Sequence, residues 1–273
     1  MELNTYKEWS GLFHASHSQE PLATQFELTH RCFLHCVHCY SDCYNKPDSK
    51  KKELTTAEIK LIIDKLCSEN NLWLTFTGGD PFVREDFVEI YKYAKSKGLI
   101  VSIMTSLQRI PSDIFKAIQD EPPFCVETTL NGATKETYET MSQVRGSFSR
   151  ALTHIERLLR AGLNLKIKTL VSKLNISEID QLRALIESFG CKFEPEAFIF
   201  PRLNGDMIPC SYRLSIDEVI QHEMKIINEC TRAGAMSLEA GIMQKNRSSK
   251  LFQCGAGNWQ WFIDAYGRLL FCF

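Results

Sequence analysis

The sequence carries almost no net charge: 32 Lys and Arg stand against 33 Asp and Glu, a formal net charge of -1 over 273 residues. That balance excludes the strongly cationic surface that holds a polyanion or an anionic bilayer, so neither nucleic acid nor membrane is an expected partner. No apolar run reaches bilayer length. The first residues, M-E-L-N-T-Y-K-E-W-S, lack the basic and apolar regions of a secretory signal, and a cytoplasmic location is the expectation. Short internal repeats and low-complexity tracts are also missing; at this length one main domain with a large core is the default.

Cysteine, by contrast, is plentiful. Without an export signal, 11 cysteines point away from a disulfide framework and towards metal ligation or redox chemistry, and the odd number leaves at least one thiol unpaired. Strand and helix patterns alternate along the chain. T-Q-F-E-L-T-H (24–30) reads as a strand, Thr55–Glu69 as a Thr-capped amphipathic helix, L-W-L-T-F-T (72–77) as a buried strand and Glu85–Gly98 as a helix ending on glycine. The strand L-I-V-S-I-M-T follows, then a helix started by Pro111, the strand F-C-V-E-T-T-L and a long helical region to Gly162. The strand L-N-L-K-I-K-T-L-V, a helix near Ser177–Phe189 and a strand near Lys192–Phe200 complete the series. The lysine run Ser49–Lys52, beside Pro47 and Asp48, reads as a solvated loop.

Six strands with helices between them imply right-handed crossovers and a parallel α/β sheet, either a partial barrel or an open doubly wound sheet. In both, chemistry belongs at the carboxyl ends of the strands. Immediately after the first strand comes C-F-L-H-C-V-H-C-Y, with Cys32, Cys36 and Cys39. Three thiolates there can converge on one inorganic centre, screened by Phe33, Leu34 and Val37. A structural zinc site needs a fourth ligand, for which His35, His38 or Cys43 is at hand; a four-iron cluster on three cysteines leaves one iron open to an outside ligand.

The C-x-x-x-C-x-x-C pattern resembles the signature of the radical S-adenosylmethionine superfamily. Two further motifs share the resemblance. T-G-G-D-P, Thr77 to Pro81, looks like the superfamily's G-G-E-P turn, and T-L-N-G (Thr129–Gly132) with V-R-G-S-F (Val144–Phe148) resembles elements of the branch that matures peptides and proteins. The resemblance implies a partial (β/α)6 TIM-like barrel with a short C-terminal β-hairpin extension. It also implies a [4Fe–4S] cluster on Cys32, Cys36 and Cys39, with S-adenosylmethionine on the open iron. Thr77, Gly78, Gly79 and Asp80 would then receive the cofactor's amino group, the glycines by close backbone approach and Asp80 as an acceptor. Thr129 would offer a hydroxyl to the ribose, Arg145 a two-point bond to the carboxylate, and His38 a flat ring to the adenine. Asn131 stands where the branch carries an acid.

The tail, Cys254 to Cys272, places twelve residues, Gly267 and four residues between two cysteines. It resembles the opening of the SPASM extension, which carries an auxiliary iron–sulfur cluster; read without the resemblance, I-D-A-Y-G-R-L-L is a hairpin turn. The implied organisation is an N-terminal segment 1–23, a radical core 24–200, a bridging helical segment 201–253, and 254–273 as the start of an incomplete auxiliary-cluster domain. Cys254 and Cys272 are the candidate ligands of a second cluster, which would need further ligands from elsewhere. The implied function is hydrogen abstraction from a ribosomally made peptide or protein during maturation. Its electron donor would be flavodoxin or ferredoxin, and a separate chain would bind the leader peptide. Two alternatives stay open: a radical enzyme acting on a small molecule in cofactor biosynthesis, and a zinc-stabilised α/β binding module without catalysis.

Overall fold

A computed structural model describes residues 22–232, 256, 257 and 259–270. Six strands, β1 (Ala23–Thr29), β2 (Trp73–Gly78), β3 (Ile100–Met104), β4 (Cys125–Thr129), β5 (Leu165–Leu170) and β6 (Glu194–Glu196), pair in parallel, each with the next in sequence. The helices α1 (Thr56–Ser68), α2 (Phe87–Ser96), α3 (Ser112–Asp120), α4 (Lys135–Ser142), α5 (Ser147–Arg160) and α6 (Ile179–Ser188) fill the crossovers, and α7 (Ile216–Arg232) follows. Strand order running without reversal from β6 to β1 is that of a barrel wall; a doubly wound sheet reverses direction partway.

Side-chain alternation explains how the wall is built. Phe26 and Leu28 of β1, Leu74 and Phe76 of β2, and Leu165 and Ile167 of β5 turn to the helices and join Ile59, Ile63, Ile90 and Ile155 in one apolar core. The opposite face of β1, β2, β4 and β5 carries Glu27, Thr77, Glu127 and Lys168 and points into the barrel. The interior is therefore polar, with Lys168 Nζ 2.7 Å from Glu127 Oε2 and Lys166 Nζ 2.7 Å from Glu194 Oε2.

Four segments differ from the sequence reading. The long helical region to Gly162 is two helices, broken where Gln143 and Gly146 take left-handed backbone at φ 58° and 76°. The last barrel strand shortens to Glu194–Glu196, which holds Pro195 and so lacks a ladder donor. The lysine run is a 3-10 helix, Pro47–Lys52, with Ser49 buried beneath it. The expected hairpin forms as β7 (Gln260–Ile263) and β8 (Leu269–Leu270), but β7 also pairs in parallel with β1, so the hairpin prolongs the barrel sheet. Cys254, Cys272 and most of the segment 1–23 lie outside the described residues.

Candidate active site

The cysteine loop is fixed at three points. At its root, the glycine turn after β2 bonds to the end of β1: Gly79 N donates to Thr29 O at 2.7 Å and Asp80 N to Arg31 O at 2.8 Å. A Cβ on Gly78 would lie 2.1 Å from Thr29 O, and one on Gly79 2.3 Å from Arg31 O. Glycine is thus required here for strand-to-loop contact, and Gly78 also adopts φ +134°. At the middle of the loop, His35 N and Val37 N donate to Ser142 O and Met141 O at the end of α4, at 3.1 and 2.9 Å. At its far end, Asn45 Oδ1 accepts from Cys32 N at 3.0 Å while Asn45 Nδ2 donates to Leu34 O at 2.9 Å.

So held, Cys32, Cys36 and Cys39 line one cavity of about 330 Å³ at the carboxyl ends of β1 to β6. His38, Thr77, Gly78, Gly79 and Thr129 line it too, which brings together eight of the ten residues singled out in the radical core. Burial pushes all three thiols upward, and their proximity adds to it for Cys36 and Cys32. Leu34 N donates to Cys32 Sγ at 3.4 Å, and Ser41 Oγ lies 3.5 Å from Cys39 Sγ. Three half-buried cysteines lining one cavity, two of their sulfurs already met by polar groups, suit ligation to a metal centre that compensates thiolate charge. Among the described residues, no three His, Cys, Asp or Glu side chains gather to hold a single metal ion, and His35 Nδ1 is engaged with Asp42 Oδ1 at 3.0 Å. This donor set fits a cluster with one thiolate per iron better than a closed zinc site.

Two expected cofactor contacts are placed elsewhere. Asp80 is fully buried, and its carboxylate accepts from Phe82 N, Thr105 Oγ1, Ser106 N and Ser106 Oγ. It fastens the loop after β3 to the glycine turn and does not border the cavity. Burial raises its pKa, with the Ser106 hydroxyl opposing most strongly. Arg145 is exposed and also outside the cavity lining. Asn131 is a scaffold residue: its Oδ1 accepts from Leu170 N at 2.9 Å.

The cavity gains residues that motif matching passed over. Thr105 and Ser106 follow β3, Glu127 and Thr128 come from β4, Lys168 and Thr169 from β5, and Phe198, Ile199 and Phe200 follow β6. The signal was available, since all sit at or near the carboxyl end of a strand read from sequence. Thr128 Oγ1 and His38 Nδ1 are buried without a hydrogen-bond partner among the described residues. Both residues border the cavity. Burial lowers His38 to about 4, leaving a neutral ring. Glu127 also lines a second cavity of about 460 Å³ at the amino ends of β4 and β5.

A barrel with three cysteines and a double-glycine turn at its carboxyl end is the architecture of one enzyme class, and the comparisons agree. The model of the radical SAM superfamily matches residues 26–186: the chain belongs to that superfamily, whose cofactors are a [4Fe–4S] cluster and S-adenosylmethionine. It is 27% identical over 256 residues to the mycofactocin maturase MftC of Mycobacterium tuberculosis, 92% of this chain and 64% of that one. It is 32% identical over 186 residues to the AdoMet-dependent heme synthase of Methanosarcina barkeri, 68% of this chain and 53% of that one. The chain thus spans about half to two thirds of these relatives' length. SuiB of Streptococcus suis bound to S-adenosylmethionine superposes at TM-score 0.75 and 13% identity, covering 100% of this chain and 67% of that one. At that identity the likeness shows the shared fold. No helix among the described residues is long and apolar enough to cross a membrane.

Proposed function

We propose that the chain is a radical S-adenosylmethionine enzyme that modifies a ribosomally made peptide or protein. The observation that carries this reading is the convergence of Cys32, Cys36, Cys39, the Gly78–Gly79 turn and Thr129 on one cavity. When bound, the cluster and S-adenosylmethionine supply one-electron cleavage of the sulfonium and a carbon-centred oxidant that removes a substrate hydrogen. The chain's own residues hold and shield. Cys32, Cys36 and Cys39 would bind three irons, the glycine turn would bring backbone close to the cofactor, and the neutral His38 ring would lie flat against a purine. Thr129 would offer a hydroxyl, while Leu34, Met104 and Ile199 would keep water from the reacting carbon.

A peptide substrate is supported by the maturase among the relatives, and by SuiB, which was also solved bound to its precursor peptide SuiA (TM-score 0.72, 12% identity, 97% of this chain and 62% of that one). Flavodoxin or ferredoxin is the proposed donor and a separate chain the proposed leader binder. A small-molecule substrate is the second reading, favoured by the heme synthase match. The test is anaerobic reconstitution with iron and sulfide, then measurement of 5′-deoxyadenosine with and without a candidate precursor peptide. Peptide-stimulated formation supports the first reading. Formation stimulated by a porphyrin and not by peptide replaces it with the second.

A further inference from the structure

Beside the cysteine loop the surface is basic in a way that the cavity does not use. Lys46, Lys50, Lys51 and Lys52 are exposed, with one carboxylate, Asp48, among them. Lys51 Nζ lies 3.0 Å from Asp48 Oδ1 and Lys50 Nζ 3.7 Å from Glu85 Oε1, both pairs widely open to solvent. Pairs of this kind are weak and readily exchanged. Because the chain as a whole is close to neutral, this segment is a local positive field.

The segment is also rigidly placed. Ser49 is buried, donating its hydroxyl to Tyr44 O and its N–H to Lys46 O at 3.0 Å. Leu54 N donates to Ala265 O at 3.1 Å in the C-terminal hairpin. The turn therefore presents its lysines from a fixed backbone, which lowers the ordering cost of docking. Its position is the second observation. Lys46 directly follows Asn45, whose side chain clamps Cys32 and Leu34. Lys50 shares a surface groove with Arg31, the residue before Cys32, and with Arg84, Glu53, Glu85 and Asp86; there Arg31 is paired with Glu53 through bonds of 3.1 and 3.0 Å and Arg84 with Asp86, so the excess positive charge lies on the turn and not in the groove.

We infer that the Lys46–Lys52 turn is the docking surface for an acidic one-electron carrier protein that reduces the centre held by Cys32, Cys36 and Cys39. The inference rests on the radical reading above, since only a redox centre needs such a carrier. Charge complementarity sets the encounter, and Asn45, next to Lys46, ties the turn to the cysteine loop.

The test uses reconstituted holoprotein and a recombinant flavodoxin of acidic surface. Direct binding is measured by calorimetry, and bleaching of the cluster band is followed with photoreduced flavodoxin and, separately, with dithionite. The triple variant K50E/K51E/K52E should bind flavodoxin at least roughly tenfold more weakly, and wild-type binding should fall steeply between about 0.05 M and about 0.5 M salt. Dithionite should bleach variant and wild type alike. The control Lys92→Glu, on the exposed side of α2, should bind as wild type does. A triple variant with wild-type affinity and bleaching rate overturns the docking surface alone. A wild-type protein that assembles no iron–sulfur cluster on anaerobic reconstitution overturns the radical reading, and this inference with it.

Discussion

The Tyr40 hydroxyl donates to Glu27 Oε1 at 2.8 Å, joining the residue after the third cysteine to a carboxyl group fully buried in β1. His30 Nδ1 lies 3.7 Å from the other oxygen, and the His30 ring sits between Tyr44 and Tyr266 at 5.2 and 5.0 Å. The cysteine loop, first strand and C-terminal hairpin therefore meet around one buried acid.

Burial pushes Glu27 up to about 7, with Tyr40 opposing and Asp264 adding to the rise. A carboxyl group raised above its ordinary 4.5 binds its proton more tightly in the folded chain. Its contribution to stability is complete below about pH 4.5 and is lost as pH climbs through about 7. Glu27→Gln keeps an acceptor for Tyr40 and removes the titration. The variant should gain on wild type by up to about 3 kcal/mol between about pH 5 and about pH 8. Chemical denaturation of both proteins across that window measures the difference; a pH-independent gap rejects the assignment.

Gly79→Ala should be among the most damaging single changes, because its Cβ would lie 2.3 Å from Arg31 O and 2.6 Å from His30 O. Backbone on both sides leaves no flexible atom to yield, so a cost above about 4 kcal/mol is expected, with loss of iron on reconstitution. Gly98→Ala, where the added carbon meets nothing within 4 Å and φ is +80°, should cost about 1 kcal/mol. Melting curves and iron content separate the two.

Asp80→Ala should lower stability by about 3 kcal/mol, because it strands donors from Phe82, Thr105 and Ser106 that the carboxylate now satisfies. Cofactor affinity should fall with it, since Thr105 and Ser106 border the cavity. If the variant melts like wild type yet binds S-adenosylmethionine poorly, Asp80 touches the ligand instead. Thermal melts paired with equilibrium binding decide between these.

Alanine at Cys32, Cys36 or Cys39 should each remove the brown colour of the reconstituted protein and abolish 5′-deoxyadenosine formation. Cys43→Ala should retain both, because the Cys43 thiol reaches Tyr40 O at 3.9 Å and does not line the cavity. Iron and sulfide assays on the four proteins provide the comparison.

What was legible in the sequence was local. Alternation gave the six parallel strands, and three short motifs gave the cysteine loop, the glycine turn and Thr129, because each signal lies within a few residues. What escaped needed partners far along the chain. Asp80 reads as a ligand contact until Thr105 and Ser106 are folded against it, 25 and 26 positions on. Nothing near Gln260 announces that β7 will pair with β1. The lysine run looks like a solvated loop because the bond that ties the chain just beyond it, Leu54 N to Ala265 O, reaches the C-terminal hairpin. Glu127 and Lys168 are ordinary strand residues until neighbouring strands align their side chains across the barrel.

Glu127 borders both the cysteine-lined cavity and the cavity at the barrel's other end, and Lys168 Nζ stands 2.7 Å from its Oε2. One ion pair thus belongs to the walls of both spaces, so removing either partner would leave the other's charge uncompensated at the two of them together.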